Sequence, residues 1–158
     1  MVTKVEPSEL KWTHRVKIHQ NTIHSMKLHW LDDKTCLLVT GGDDNAIAFT
    51  VCAWSASRGG PQVNTVIVPR AHTAAVTGVE ILASSTSSVL TVATTSIDQR
   101  IKIWEVRYNS SLPRIDGLTV KRKGNYFTAV ADVSGLAALD SSSIIVCGVG
   151  LDVWSHSG

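Results

Sequence analysis

The stretch that decides the fold runs from His72-Thr73-Ala74-Ala75-Val76-Thr77-Gly78-Val79 to Ser96-Ile97-Asp98-Gln99-Arg100-Ile101-Lys102-Ile103-Trp104. Its end alternates cleanly: Ile101, Ile103 and Glu105 share one face, and Lys102, Trp104 and Val106 share the other. That period of two is the signature of a strand. The middle, Val89-Leu90-Thr91-Val92-Ala93, is a short apolar block bounded by Ser and Thr, which reads as a second strand. Moving back toward the N-terminus, His19-Gln20-Asn21-Thr22-Ile23-His24-Ser25-Met26 repeats the pattern of His72 to Val79, 53 positions earlier. Asp44-Asn45-Ala46-Ile47-Ala48-Phe49 repeats Asp98 to Ile103 at an offset of 54. Two separate landmarks share one period, so the chain is a repeat.

A third, degenerate copy comes next, with Val133-Ser134-Gly135-Leu136 matching Val76 to Val79 and Leu151-Asp152-Val153-Trp154 matching Ile101 to Trp104. It lacks both the His and the Asp. Each full unit holds four strand-like blocks: residues 23–29, 36–40, 46–53 and 63–68 in the first, and 76–82, 89–95, 100–107 and 117–121 in the second. The third supplies 131–139, 144–147 and 151–154, and one spare block, 11–18, precedes them all. The expectation is twelve short strands. No stretch keeps a helical stripe for three turns, apart from a weak one over residues 129–139, so the fold class is all-β.

The His72 … Ser96-x-Asp98-x-x-Ile101-x-x-Trp104 run resembles a WD-repeat blade. The resemblance implies a β-propeller segment of about three four-stranded blades, partial or open, since propellers usually hold four to eight. The implied organisation is a tail and outer strand of a neighbouring blade over 1–18, blades over 19–70 and 71–124, and a degenerate three-stranded blade over 125–158. In that family the His, a Ser or Thr, the Asp and the Trp form a buried network. Carried over, this gives His72, Asp98 and Trp104, with Ser96 or Thr94 as hydroxyl. His19 and Asp44 match in the first unit, where Thr50 takes the Trp position, and the third keeps Trp154. Three strands at one end and one at the other is the pattern of a propeller closed by a borrowed strand, so the chain looks like the C-terminal part of a longer protein or a truncated version of one.

A narrower resemblance rests on Gly41-Gly42-Asp43-Asp44-Asn45, Val130-Ala131-Asp132-Val133-Ser134 and the ending Cys147-Gly148-Val149-Gly150-Leu151-Asp152-Val153-Trp154. These are similar to the C-terminus of the WD-repeat proteins that partner the ribose methyltransferase of the tRNA anticodon wobble nucleotide. The resemblance implies a non-catalytic subunit that helps recruit or position tRNA, with the methyltransferase and its S-adenosylmethionine on another chain. The alternative is a WD-repeat scaffold in an unrelated intracellular complex.

Composition is compatible with both. The chain has 158 residues, is 44% hydrophobic and 18% charged, and has a net charge of +2, so it folds and carries no global basic field. Cys36, Cys52 and Cys147 are odd in number and form no C-x-x-C pair, which argues against a disulfide framework or zinc ribbon and suits a reducing compartment. The first ten residues do not read as a secretory signal, no apolar run is long enough to span a membrane, and the expectation is a cytoplasmic protein.

No enzyme chemistry survives inspection. His14, His19, His24 and His29 recur every five residues, but an odd spacing sends neighbours on a strand to opposite faces, and no Cys or carboxylate completes a ligand set. Asp44 and Asp98 sit between strand blocks, where Asp accepts local backbone hydrogen bonds in a tight turn. There is no G-x-S-x-G nucleophile motif. Gly148-Val149-Gly150 is half a dinucleotide loop without a following helix, and therefore a turn. The expectation is no cofactor and no metal. Two basic clusters are candidates for RNA or partner contact: Lys121-Arg122-Lys123, and Lys11, Arg15 and Lys17. Both fall on blocks read as outermost strands, where lysine also serves to discourage edge-to-edge aggregation. Three blades leave apolar faces open, so remaining blades or another copy should cover them.

Overall fold

The computed structural model describes residues 15–54, 61–82, 88–109 and 117–155, which are all-β. The first sheet is formed by β1 (Ile23–Trp30), β2 (Thr35–Gly42), β3 (Ile47–Trp54) and β4 (Pro61–Val68), antiparallel and in sequence order. The second repeats that plan with β5 (Val76–Leu82), β6 (Val89–Ser96), β7 (Arg100–Arg107) and β8 (Thr119–Phe127). β9 (Ala131–Ala138) and β10 (Ser143–Ser155) make the third. The three sheets succeed one another as an open, partial propeller, and are called blades 1, 2 and 3 below.

β10 is a strand folded back on itself. Thirteen residues at about 3.3 Å each would part its ends by about 40 Å, yet the Ser143 and Ser155 hydroxyl oxygens lie 3.4 Å apart. The reversal falls at Gly148-Val149-Gly150. There the ladder with β9 shifts register between Cys147 and Val149, and Gly150 takes a φ of +116°, which a side chain would oppose. Blade 3 therefore has three arms.

Strand alternation builds two cores between the three sheets. Leu37, Val39, Ile47 and Phe49 of blade 1 meet Leu90, Val92, Trp104 and Val106 of blade 2. The opposite row of blade 2, including Ala93, Ile101 and Ile103, meets Val133, Ile144 and Val146 of blade 3. The first strands of successive blades lie side by side, and Gly78 makes that approach possible. A Cβ there would sit 2.6 Å from Leu136 Cβ and 2.4 Å from Thr95 Oγ1. Polar stitches fix the junctions. Lys27 Nζ lies 2.7 Å from Glu80 Oε1, the Val79 amide donates to Ser25 Oγ at 2.9 Å, and the Thr77 hydroxyl donates to the Val133 carbonyl at 2.6 Å.

One strand runs further than its sequence suggests. The sequence places this strand at residues 117–121. Instead it continues to Phe127, pairing along all of β7 from Arg107↔Thr119 to Arg100↔Phe127. The ladder outweighs local preference, and a bulge between Ile103 and Trp104 absorbs Lys123 as the extra residue. At the other end, residues 11–14 of the expected leading strand lie outside the described residues, and 15–18 form an irregular lead-in to blade 1.

Candidate functional site

The polar residues flagged by the repeat meet inside blade 2. The turn between β6 and β7 closes with the Gln99 amide on the Ser96 carbonyl at 3.1 Å, and Gln99 adopts a φ of +57°. This places Asp98 beneath the loop that enters β5, where its carboxylate lies 3.1 Å from His72 Nδ1 and accepts the amides of Thr73 and Arg100 at 2.9 and 3.0 Å. His72 Nε2 is 3.0 Å from Thr94 Oγ1, and Trp104 Nε1 is 2.9 Å from the same oxygen.

Donor and acceptor capacities give this chain a direction. The Asp98 carboxylate can only accept, so the single proton of the buried ring sits on His72 Nδ1; Nε2 then accepts the Thr94 hydroxyl proton, and Thr94 Oγ1 accepts the indole N–H of Trp104. His72 is then the neutral Nδ1–H tautomer, donating to Asp98. Burial pushes the His72 imidazole below its ordinary value, against the raising pull of Asp98. Burial also pushes Asp98 up, but the Thr73 amide, His72 and the Arg100 amide outweigh it and hold the carboxyl below the usual range. His72, Thr94 and Trp104 are all buried. With both nitrogens engaged and no solvent access, this imidazole has no free position for a substrate or metal.

Ser96 does not join the chain. Two residues beyond Thr94 along β6, it reaches the loop instead, donating to the Ala74 carbonyl and accepting the Asp98 amide, each at 3.1 Å. Thr94 is the hydroxyl of the network.

Blade 1 contains the same arrangement without its last member. His19 Nδ1 lies 2.8 Å from Asp44 Oδ1, and His19 Nε2 lies 2.8 Å from Thr40 Oγ1. Thr40 stands opposite Met26 as Thr94 stands opposite Val79, so the two hydroxyls are equivalent. At the Trp104 place is Thr50, which bonds the Thr65 hydroxyl at 3.0 Å. Burial acts to raise Asp44, but the Gln20 amide, His19 and the Ala46 amide win and lower it.

Blade 3 shows the converse loss. Trp154 is present, but Val146, opposite Leu136, occupies the Thr94 place. The indole Nε1 is accordingly buried without a partner, and the ring leans on Tyr126 with centroids 6.1 Å apart. A different bond secures this blade: the Thr128 hydroxyl donates to Asp152 at 2.5 Å. Asp152 comes after Leu151 as Lys102 comes after Ile101, and in blade 2 it is Lys102 Nζ that reaches back to the lead-in, at the Ala71 carbonyl. One structural role is thus filled by opposite charges. Thr40, Lys102 and the Thr128–Asp152 pair were missed by sequence reasoning. Applying the 54-residue offset to Thr94 would have found Thr40.

The basic candidates are placed on the surface. Lys121, Arg122 and Lys123 are exposed on β8, the outer strand of blade 2. The bulge divides them. Arg122 falls opposite Trp104, whereas Lys121 falls opposite Glu105, and Lys123 Nζ lies 3.6 Å from the Glu105 carboxylate, which Arg107 also holds at 2.9 Å. Further along, the Arg100 guanidinium sits 5.5 Å from the centre of the exposed Phe127 ring. Arg15 and Lys17 lie in the lead-in to blade 1, and Lys11 and His14 lie outside the described residues. His24 Nε2 is 2.6 Å from Asp43 Oδ1 at the surface. Among the described residues no group of three or more His, Cys, Asp or Glu is gathered for a metal, and no helix is long and apolar enough to cross a membrane.

No protein-family model matches the chain, and no curated protein matches it.

Proposed function

We propose that this protein is a non-catalytic scaffold, and specifically an accessory subunit that helps a tRNA 2′-O-methyltransferase hold tRNA at the anticodon wobble nucleotide, in the cytoplasm. The observation that carries this reading is the outer strand β8. Among the described residues it is the last strand of its sheet, and it exposes Lys121, Arg122 and Lys123, with Arg100 and Phe127 further along. Cations of this kind grip phosphate, and an exposed aromatic offers a face to an unstacked base. The His–Asp pairs, by contrast, are engaged within the blades. S-adenosylmethionine and the reacting groups belong to the partner enzyme.

Affinity purification of the protein from cell extract, with proteins and small RNAs both identified, tests the assignment: a methyltransferase and tRNA should come down together. In that complex, Lys121→Glu, Arg122→Glu and Lys123→Glu combined should lower tRNA retention and its salt sensitivity. Unchanged retention rules out β8 as the RNA contact. A second reading, a protein–protein scaffold in an unrelated complex, is favoured by Glu105, which already balances Lys123 and Arg107. A stable protein complex without tRNA decides for it.

A further inference from the structure

The two ends of the arc are the two halves of a blade junction. Lys27 of β1 points at blade 2, so the alternate residues Met26, Leu28 and Trp30 point away from it, and they are 70%, 48% and 57% exposed. Their repeat counterparts Val79 and Ile81 pack in the core that blade 2 shares with blade 1. At the far end, Ile144 and Val146 point at blade 2, so Val149, Leu151 and Val153 point outward, 69%, 60% and 58% exposed. Leu151 and Val153 correspond to Ile101 and Ile103, which blade 3 covers. Among the described residues, none covers the β1 face of blade 1 or the β10 face of blade 3.

We propose that two copies of this chain associate head to tail, the outward face of blade 3 in each packing on the free face of blade 1 in the other, to form a closed six-bladed ring. This goes beyond the scaffold reading and does not depend on it. The internal junctions supply the template. The Thr77 hydroxyl donates to the Val133 carbonyl between blades 2 and 3. The corresponding residues are Ser134, which is exposed, and Ile23, so the Ser134 hydroxyl meets the Ile23 carbonyl of the second copy. At both internal junctions an amide of the incoming segment caps the turn of the blade before, His72 on Asn45 at 3.1 Å and Thr128 on Gln99 at 3.0 Å. The same stitch between copies joins the His19 amide to the Val149 carbonyl. Charge favours the pairing: residues 128–155 carry the exposed Asp132 and Asp140 and no Lys or Arg, while the lead-in to blade 1 carries Arg15 and Lys17. A contact between unlike faces either closes or grows into fibres. The three described blades of two copies make six, within the usual range of about four to eight.

The test is sedimentation of the full chain with two charge substitutions on the exposed faces, Leu28→Glu and Leu151→Glu. The unaltered chain should sediment as a dimer. Each variant alone should weaken dimerisation by about tenfold or more, because both junctions acquire a buried charge. An equimolar mixture of the two should recover dimers, since one of its two junctions contains neither substitution. A monomeric unaltered chain overturns the proposal. So does a dimer that Leu151→Glu abolishes and Leu28→Glu leaves intact, which indicates a symmetric contact between two copies of blade 3. Should a variant fail to fold, oxidation of a chain carrying Ser134→Cys and Ile23→Cys decides: linkage between those two positions in different copies is expected, and its absence overturns the ring.

Discussion

Blades 1 and 2 share a strand plan, a His–Asp pair and a Thr on the adjacent strand, and differ at the end of that line. Blade 2 places an indole on Thr94, whereas blade 1 places Thr50, which turns to Thr65. The indole does two things at once. It fills the junction, its ring centre 6.2 Å from that of Phe49, and it satisfies a hydroxyl that His72 has already engaged. In blade 3, Trp154 remains but Val146 replaces the hydroxyl, and the indole N–H is stranded. An indole without its hydroxyl costs a buried donor, whereas Thr40, which has no indole, keeps its bond to His19. Blade 2, at the centre of the arc, is therefore the one with the complete network.

The largest expected effect breaks that centre. Trp104→Ala should cost about 3–5 kcal/mol, since it empties a packed junction, and Trp104→Phe about 1 kcal/mol, as it chiefly removes the N–H bond. Urea unfolding measures both, and Thr50→Ala should fall well below the first. Next, Asp98→Ala should destabilise more than Asp44→Ala, because the Asp98 side chain is 6% exposed and that of Asp44 12% exposed, so the bonds lost in blade 2 are the more deeply buried. Equal losses would remove the distinction between the blades.

Acidification gives a smaller, graded contrast. His72 is held below the ordinary value of 6.5, so the unfolded chain binds the proton more readily, and stability contributed by the neutral ring is complete above 6.5 and declines as pH falls through it. Asp98 and Asp44 are held below 3.8, so their contribution is present above that value and is lost as pH drops further. Melting temperature should fall in two steps, and His72→Gln should remove the upper one.

Thiol chemistry gives the smallest test and contrasts the ends. Burial, with Cys52 opposite, raises the Cys36 thiol to about 11, whereas Cys147 is exposed on blade 3. Cys147 should react with a maleimide at neutral pH, and Cys36 only after unfolding.

Much of this was legible because period-two alternation and a shared offset are geometric facts of the chain. Residues 76–82 and 100–107 are strands at those bounds, and the Gly148–Gly150 reversal comes from glycine and a missing helix. What escaped depended on partners far along the sequence. β8 runs through Gly124-Asn125 because β7 offers a continuous ladder. The choice between Thr94 and Ser96 turned on a two-residue step along β6, and Thr128–Asp152 repeats a role of Lys102 with no residue in common.

The most direct measurement is the protonation of His72 by nitrogen-15 NMR at neutral pH. The ring should show a protonated Nδ1 and an unprotonated Nε2, as a one-way chain from hydroxyl to imidazole to carboxylate requires. A protonated Nε2, or a ring nitrogen open to solvent exchange, would contradict the account.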